Sequence, residues 1–168
     1  MIEEIKREDY KLIIDWQKDE SILKINEGVT EIKKKAFKGF HHVVKVYIPN
    51  SVIKIGQYAF AGCSKLEHID MPNSVVEIEL GAFINCSSLK EFVVPESIVK
   101  IEDELFRYCN SLRSAMIPEG ITEIGNHAFS GCQELRYIYL PNSLNSIGKD
   151  AFNGCKSLKS IIIPENGF

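Results

Sequence analysis

The sequence lacks a long run of apolar residues. Across its 168 residues, uninterrupted apolar stretches cover only a few positions, whereas a helix that spans a bilayer needs about 20. Residues 1–10 mix acidic and basic side chains, and no apolar stretch with the character of a secretion signal follows them. We therefore expect no membrane insertion and, from these features alone, a protein that stays in the cytoplasm where it is made.

The sequence also lacks an excess of charge of one sign. It has 20 basic and 23 acidic side chains, which give a net charge of -3. Proteins that bind nucleic acid through the phosphate backbone need clustered positive charge, so we expect no nucleic-acid partner. Hydrophobic residues make up 45% and charged residues 26% of the chain, which favours a folded single domain over a disordered chain.

Motifs that carry chemistry are missing as well. Neither the G-x-x-x-x-G-K-[ST] nor the G-x-G-x-x-G phosphate-binding pattern occurs, and no C-x-x-C pair offers a structural zinc site. His41 and His42 are consecutive and would point apart in an extended loop, while His68 and His127 stand alone. The sequence therefore predicts no catalytic residue, no cofactor and no metal.

What the sequence does contain is a repeat of 23 residues. Every proline and every cysteine falls into this register, and so does a series of six phenylalanines. The phenylalanines are Phe37, Phe60, Phe83, Phe106, Phe129 and Phe152; the cysteines are Cys63, Cys86, Cys109, Cys132 and Cys155; the prolines are Pro49, Pro72, Pro95, Pro118, Pro141 and Pro164. A fixed period of this length is typical of solenoid proteins.

The repeat divides the chain into an N-terminal cap and a solenoid. Residues 1–19 hold ten charged side chains around several apolar ones, as a terminal cap requires, and we expect a strand between Tyr10 and Trp16. The solenoid covers 20–168. Its units are 20–42, 43–65, 66–88, 89–111, 112–134 and 135–157, with a partial unit at 158–168. The 89–111 unit has Leu105 in place of alanine and Tyr108 in place of glycine, so we expect its outer side to bulge.

Each unit carries the pattern of two short extended segments and a turn. In Ile69-Asp70-Met71, two apolar residues flank one polar residue, which is the alternation of a half-buried strand. The proline that follows cannot donate to a ladder and ends the strand. The A-F-x-x-C segment is spaced so that one helical turn directs all three side chains inward. Because one unit cannot bury these residues alone, the units must stack.

Three interpretations of the cysteine column compete. Equivalent cysteines on neighbouring units could approach the separation that a disulfide needs, but parallel side chains and an odd number of thiols oppose this. A metal site is opposed by the spacing of 23 residues between successive cysteines. Packing as small buried residues is favoured, because Phe40 takes the cysteine position in the first unit.

The pattern from Leu66 to Val75, through Ala82-Phe83 to Cys86, resembles the BspA-like leucine-rich repeat family, and the resemblance covers roughly 20–168. It implies a right-handed arc with a parallel β-sheet on its concave side, mostly β or irregular with short helical turns. It also implies a bacterial surface or secreted protein that binds partner proteins, as in cell adhesion, without catalysis. A cell-surface location therefore stands against the cytoplasmic one.

The outward positions of the predicted strands offer a candidate binding face. They form two columns, which become apolar and aromatic towards the C-terminal half. The candidate partner-binding residues are Tyr47, Val93, Arg113, Met116, Arg136, Tyr137, Tyr139 and Ile162. Tyrosine and methionine are enriched at interfaces. The alternative is an ordinary sheet surface, where β-propensity alone favours tyrosine, valine and isoleucine.

The leading hypothesis is a non-enzymatic module that binds a partner protein through the concave face, as an adhesin or as an intracellular scaffold. The alternative is an accessory repeat segment of a longer protein that carries a catalytic domain elsewhere. Ile161 and Ile163 would lie on an uncapped C-terminal edge, which natural sheets avoid. Three alternatives stay open for this edge: Phe168 folds over it, a second copy pairs with it in an end-to-end homodimer, or the chain is cut here from a longer protein.

Overall fold

The computed structural model describes residues 21–162 and the backbone of residues 14–16. Within these residues the chain forms fourteen strands and no helix. One set of strands is longer: β2 (Ile22–Ile25), β4 (Lys45–Tyr47), β6 (His68–Asp70), β8 (Glu91–Val93), β10 (Ser114–Met116), β12 (Tyr137–Tyr139) and β14 (Ser160–Ile162). A set of two-residue strands alternates with it: β3 (Glu31–Ile32), β5 (Lys54–Ile55), β7 (Glu77–Ile78), β9 (Lys100–Ile101), β11 (Glu123–Ile124) and β13 (Ser146–Ile147).

The long strands stack in parallel with a register of one repeat. Leu23 pairs with Val46, and Val46 pairs with Ile69. The short strands obey the same rule, as in the pairing of Ile32 with Ile55. Each unit of 23 residues is therefore one turn of a parallel β-solenoid, which confirms the predicted stacking.

The third side of each turn consists of hydrogen-bonded turns. The N–H of Ala59 donates to the carbonyl of Gly56, and the N–H of Cys63 donates to that of Phe60, so each bond spans three residues. The predicted helical turn is realised as these tight turns, in which Ala128, Phe129 and Cys132 are all buried as expected. Bonds to the next unit, such as Phe60 N–H to the carbonyl of Ala82 at 2.8 Å, hold successive turns together.

The phenylalanines form a continuous stack along the solenoid axis. Ring centroids of successive pairs lie 5.3, 5.4, 6.0, 5.3 and 5.5 Å apart from Phe37 to Phe152. The rings of Phe60 and Phe83 are nearly parallel, with an angle of 4° between their planes. Five of these rings, all but that of Phe152, are essentially inaccessible to solvent, and they form the centre of the core.

The cysteines form a second column, in which all but the half-buried Cys155 are buried, and each thiol bonds to the equivalent phenylalanine carbonyl. The Sγ of Cys63 donates to the carbonyl of Phe37 at 3.2 Å, and the four later cysteines repeat this bond with Phe60, Phe83, Phe106 and Phe129. All five thiols are free, so the packing interpretation is correct and the disulfide interpretation is wrong. Burial raises the pKa of Cys63 to about 12 and that of Cys155 to about 11, and it raises the pKa values of the other three thiols too.

Both sheets are interrupted at the same boundary, between the 66–88 and 89–111 units, which we call the seam. β6 does not pair with β8, and β7 does not pair with β9. The inward strand residue of the 89–111 unit is Phe92, whose ring lies 5.1 Å from that of Phe83 and 4.7 Å from that of Phe106. This ring packs against both, and the phenylalanine stack is widest at this point, at 6.0 Å.

The outer turn of the 89–111 unit stays in register with its neighbours. The N–H of Asn85 donates to the carbonyl of Arg107, and that of Tyr108 donates to the carbonyl of Ser130, both at 2.8 Å. The ring of Tyr108 covers Gly131, where a Cβ would come within 2.5 Å of it. The irregularity of this unit therefore appears in the sheets and not as the bulge that the sequence predicts.

The first parallel strand is covered by an antiparallel neighbour. Strand β1 (Ile14–Trp16) pairs with β2, with Ile14 opposite Ile25. Residues 1–13 and 17–20, which include most of the predicted cap, lie outside the described residues, as do Ile163 and Phe168. The search for membrane-spanning segments found no helix of sufficient length and apolarity in the described part of the chain.

Candidate binding surface

The outward side chains of the long strands form a continuous surface, which we call the strand face. On each long strand from β8 to β12, the middle residue is buried and the two residues beside it are exposed. Exposed apolar and aromatic side chains on these three strands are Val93, Met116, Tyr137 and Tyr139, with 56%, 67%, 58% and 62% of their surface accessible. We call these four residues the apolar patch.

The apolar patch lies on successive turns of the solenoid. Val93 is the parallel partner of Met116, and Tyr139 is the partner of Ile162. Strands β10 and β12 do not pair, but the N–H of Arg136 donates to the carbonyl of Arg113 across the gap at 3.3 Å. The structure thus brings these predicted residues together on one face. The side chain of Ile162 lies outside the described part.

Tyr137 stands between two small residues. Its partner on the following strand is Ser160, and the equivalent residue on the preceding unit is Ser114; both serines are exposed. The ring therefore projects above its neighbours, with space on both sides. A partner side chain can pack against either face of the ring, which is the geometry of an aromatic anchor residue.

Tyr47 lies away from the other predicted residues. It is on β4, two units before Val93, and its exposed fraction of 37% is the smallest among the aromatic side chains predicted to bind. The ammonium of Lys45 lies 4.4 Å from the centre of its ring. Tyr47 therefore already has an intramolecular partner, and it does not belong to the apolar patch.

Charged side chains in the N-terminal half of the strand face form ion pairs with one another. The Nζ of Lys45 lies 3.7 Å from the Oδ2 of Asp70, and Lys90 forms an ion pair with Glu67 across the seam. The hydrogen bond from Lys90 lowers the pKa of Glu67. The N-terminal half therefore carries charged side chains that are paired within the molecule, whereas the apolar patch lies beyond the seam.

A line of cations runs beside the apolar patch, at the residue before each long strand. We call it the basic file: Lys90, Arg113, Arg136 and Lys159. Backbone hydrogen bonds join each member to the next, from Arg113 to Lys90 at 2.9 Å, from Arg136 to Arg113 at 3.3 Å and from Lys159 to Arg136 at 3.2 Å. The equivalent residues before the seam are Ser21, Val44 and Glu67. The basic file thus begins at the seam, where the apolar patch also begins.

Comparison with protein families decides the identity of the repeat. The family model for the BspA type leucine rich repeat region matches six copies, over residues 17–135 and 99–167. The chain belongs to the BspA-type leucine-rich repeat family. No functionally curated protein shows significant similarity to it.

Solved structures of leucine-rich repeat proteins agree with this fold. A leucine rich cell surface protein from Faecalibacterium prausnitzii is 35% identical, with a TM-score of 0.78, over 84% of this chain and 38% of that one. A leucine-rich repeat protein from Bacteroides ovatus is 28% identical, with a TM-score of 0.63, over 88% and 49%. One from Eubacterium ventriosum shares the fold at 24% identity, with a TM-score of 0.76, over 92% and 45%. This chain spans less than half the length of each.

BspA-type repeats and their fold are typically non-catalytic. In the part of this BspA-type chain that the structure describes, no three histidine, cysteine, aspartate or glutamate side chains come together to hold a metal. His41 Nδ1 lies 3.2 Å from the Oγ of Ser64, and both belong to the exposed outer turns. Ser51, Ser74 and Ser143 bond to backbone carbonyls of the preceding unit, which is a structural role.

Sequence reasoning missed two features of this BspA-type surface. Lys90 and Lys159 belong to the basic file, and their column could have been found by writing out the residue before each predicted strand. The second feature is an exposed apolar file, Ile53, Val76 and Val99, beside the short strands. These residues lie directly before the short strands and are exposed.

Proposed function

We propose that this BspA-type chain is a non-enzymatic module that binds a partner protein through the apolar patch. The observation that carries the proposal is the exposure of Met116, Tyr137 and Tyr139 on adjoining turns of the solenoid. Contiguous exposed apolar side chains on a soluble surface mark interaction sites. Tyrosine adds a hydroxyl that can bond to a partner, and it is frequent among residues that dominate binding energy.

The packing beneath the face supports this proposal. Each patch residue is fixed by a buried neighbour on the same strand: Phe92 next to Val93, Ala115 next to Met116 and Ile138 next to Tyr139. The face therefore loses little conformational freedom when a partner binds, and this reduces the cost of association.

The cell-surface name of the Faecalibacterium protein favours an adhesin-type role over an intracellular scaffold. We place the present chain in that role as part of the proposal. The concave-face location that the resemblance implies is consistent with binding by an arc that surrounds part of its partner.

The double substitution Tyr137→Ala/Tyr139→Ala tests the proposed surface. A partner captured by the intact protein is expected to bind this variant at least tenfold more weakly, because each truncated aromatic anchor typically weakens binding at least tenfold. The affinity is measured by surface plasmon resonance with purified partner. The matched control is Ile53→Ala/Val76→Ala, which removes two exposed apolar side chains outside the strand face and is expected to leave affinity unchanged.

Equal affinity of the Tyr137→Ala/Tyr139→Ala variant and the intact protein would contradict the proposal. Loss of binding in the control variant alone would show that the partner binds at the exposed file of Ile53, Val76 and Val99 instead.

A further inference from the structure

We infer that the partner segment bound by the apolar patch is acidic: a stretch of protein in which aspartate or glutamate side chains accompany apolar ones. This inference rests on the proposed function and adds the chemistry of the partner to it. It is carried by the basic file and by the way in which its charges are distributed.

The basic file places cations on successive turns of the solenoid. Its members lie on successive turns, and stacked strands are about 4.8 Å apart, so cations are set beside cations. Like charges directly opposite one another in a sheet are destabilising. The sequence tolerates other residues here, since Ser21, Val44 and Glu67 fill the column before the seam. The fold itself therefore does not require this file of positive charges.

Intramolecular neutralisation of the basic file is incomplete. Lys90 pairs with Glu67, and the Nε of Arg113 lies 3.0 Å from the Oε2 of Glu134. Among the residues that the structure describes, Arg136 and Lys159 form no ion pair. Arg136 directly precedes Tyr137, and Lys159 holds the same position on the next turn. The unpaired positive charge therefore lies next to the aromatic part of the patch.

An open hollow joins the unbalanced charge to the patch. It is lined by Arg136, Tyr137, Lys156, Ser157, Leu158 and Lys159, which supply three cations and no acidic group. A carboxylate placed here would meet Arg136 and Lys159 while an adjacent apolar side chain packs on the ring of Tyr137. Arginine can also bind a carboxylate through two hydrogen bonds at once.

The apolar patch favours an acidic protein over a polyanionic glycan or nucleic acid. A polyanion needs cations along its whole length, whereas two members of the basic file are already neutralised and the centre of the face is Val93, Met116 and Tyr139. The net charge of the chain is -3, so attraction of a polyanion is restricted to this small area. A protein segment with both acidic and apolar side chains can contact the unpaired cations of the basic file and the apolar patch at the same time.

The test uses a random peptide library displayed on phage and the full chain as bait. Peptides that bind are expected to be enriched in aspartate and glutamate, together with leucine or aromatic residues. A selected peptide is then synthesised, along with a counterpart in which lysine replaces each acidic residue. The charge-reversal variant Arg136→Glu/Lys159→Glu is expected to bind the acidic peptide at least tenfold more weakly, because each exposed pair contributes up to about fivefold and reversal adds repulsion.

The matched control is Lys38→Glu/Lys65→Glu, which makes the same change in net charge at two exposed lysines outside the strand face. Its affinity for the peptide is expected to equal that of the intact chain. The difference between the two variants should shrink as salt is added, since the interaction of exposed charges is screened within about 10 Å at moderate ionic strength.

The outcomes separate this inference from the proposed function. Peptides that depend on Tyr137 and Tyr139 but carry no acidic enrichment, or that bind the charge-reversal variant equally well, overturn the inference and leave the proposed function standing. Selection that yields no peptide dependent on the two tyrosines contradicts both. Binding of heparin that is lost in Arg136→Glu/Lys159→Glu, without acidic peptides, assigns the face to a glycan and also overturns the inference.

Discussion

Raising the pH from about 7 to about 10 is expected to lower the free energy of unfolding by roughly 5 kcal/mol, through the cysteine column alone. Cys63, Cys86, Cys109 and Cys132 are buried, and desolvation raises the pKa of each thiol. In the unfolded chain the same thiols lose their protons near pH 8.5. The contribution is fully present below that pH and is lost as the pH rises towards the folded pKa.

The sign follows from proton binding. Above about pH 9 the unfolded state holds fewer protons than the folded state, so stability falls with rising pH. At pH 10 each buried thiol is expected to account for about 1 to 2 kcal/mol, given an unfolded pKa of about 8.5 to 9. The half-buried Cys155 is left out of the sum. Folded domains are stabilised by about 5–15 kcal/mol, so the loss would remove between about a third and all of that stability.

Urea unfolding at a series of pH values, with a reductant present, measures this loss. The control is Cys109→Ala, which removes one fully buried thiol and should reduce the pH-dependent loss by about a quarter, as the four buried thiols contribute alike. The variant is less stable at neutral pH, because the hydrogen bond from Sγ to the carbonyl of Phe83 is gone. Stability that stays constant to pH 10, or a slope that Cys109→Ala does not change, would show that the thiols are not buried as described.

Replacing Phe106 by alanine is expected to cost about 3–5 kcal/mol of unfolding free energy. Its ring is fully buried and touches three others, those of Phe83, Phe92 and Phe129. Removal leaves a cavity in the middle of the stack, beside the seam where the sheets are already interrupted. Because repeat units contact only their neighbours, the two halves are expected to unfold in separate steps in this variant.

Chemical denaturation followed by circular dichroism measures the loss. Val99→Ala in the same unit is the control: its side chain is 64% exposed, and the expected change is within about 0.5 kcal/mol. A cost below about 1 kcal/mol for Phe106→Ala would mean that the phenylalanines do not form the centre of the core.

Sequence periodicity was enough to predict the stack because the period is unbroken. A phenylalanine every 23 residues has only one way to be buried in a solenoid of equal turns, and Phe60 and Phe83 lie one above the other as expected. The exposure of Tyr137 and Tyr139 followed from strand alternation around Ile138.

The seam could not be predicted from the period, because an unbroken period gives every pair of neighbouring units the same expected pairing. Phe92 is the only aromatic residue in its column, where the neighbouring units have Ile69 and Ala115. Periodicity treats all three as apolar and does not distinguish the larger ring, which packs against both Phe83 and Phe106. The basic file does not show in the net charge of -3, because that sum covers the whole chain and not one column of the repeat.

The central claim is that a partner protein touches the strand face at the apolar patch. It is tested most directly by placing the photo-reactive amino acid benzoylphenylalanine at position 137, in place of Tyr137, and at position 53, in place of Ile53, in two separate proteins. Irradiation with a bound partner should give a cross-linked product from position 137 and none from position 53, as resolved by mass spectrometry. A cross-link from position 53 alone, or equal yields from both positions, would contradict the account.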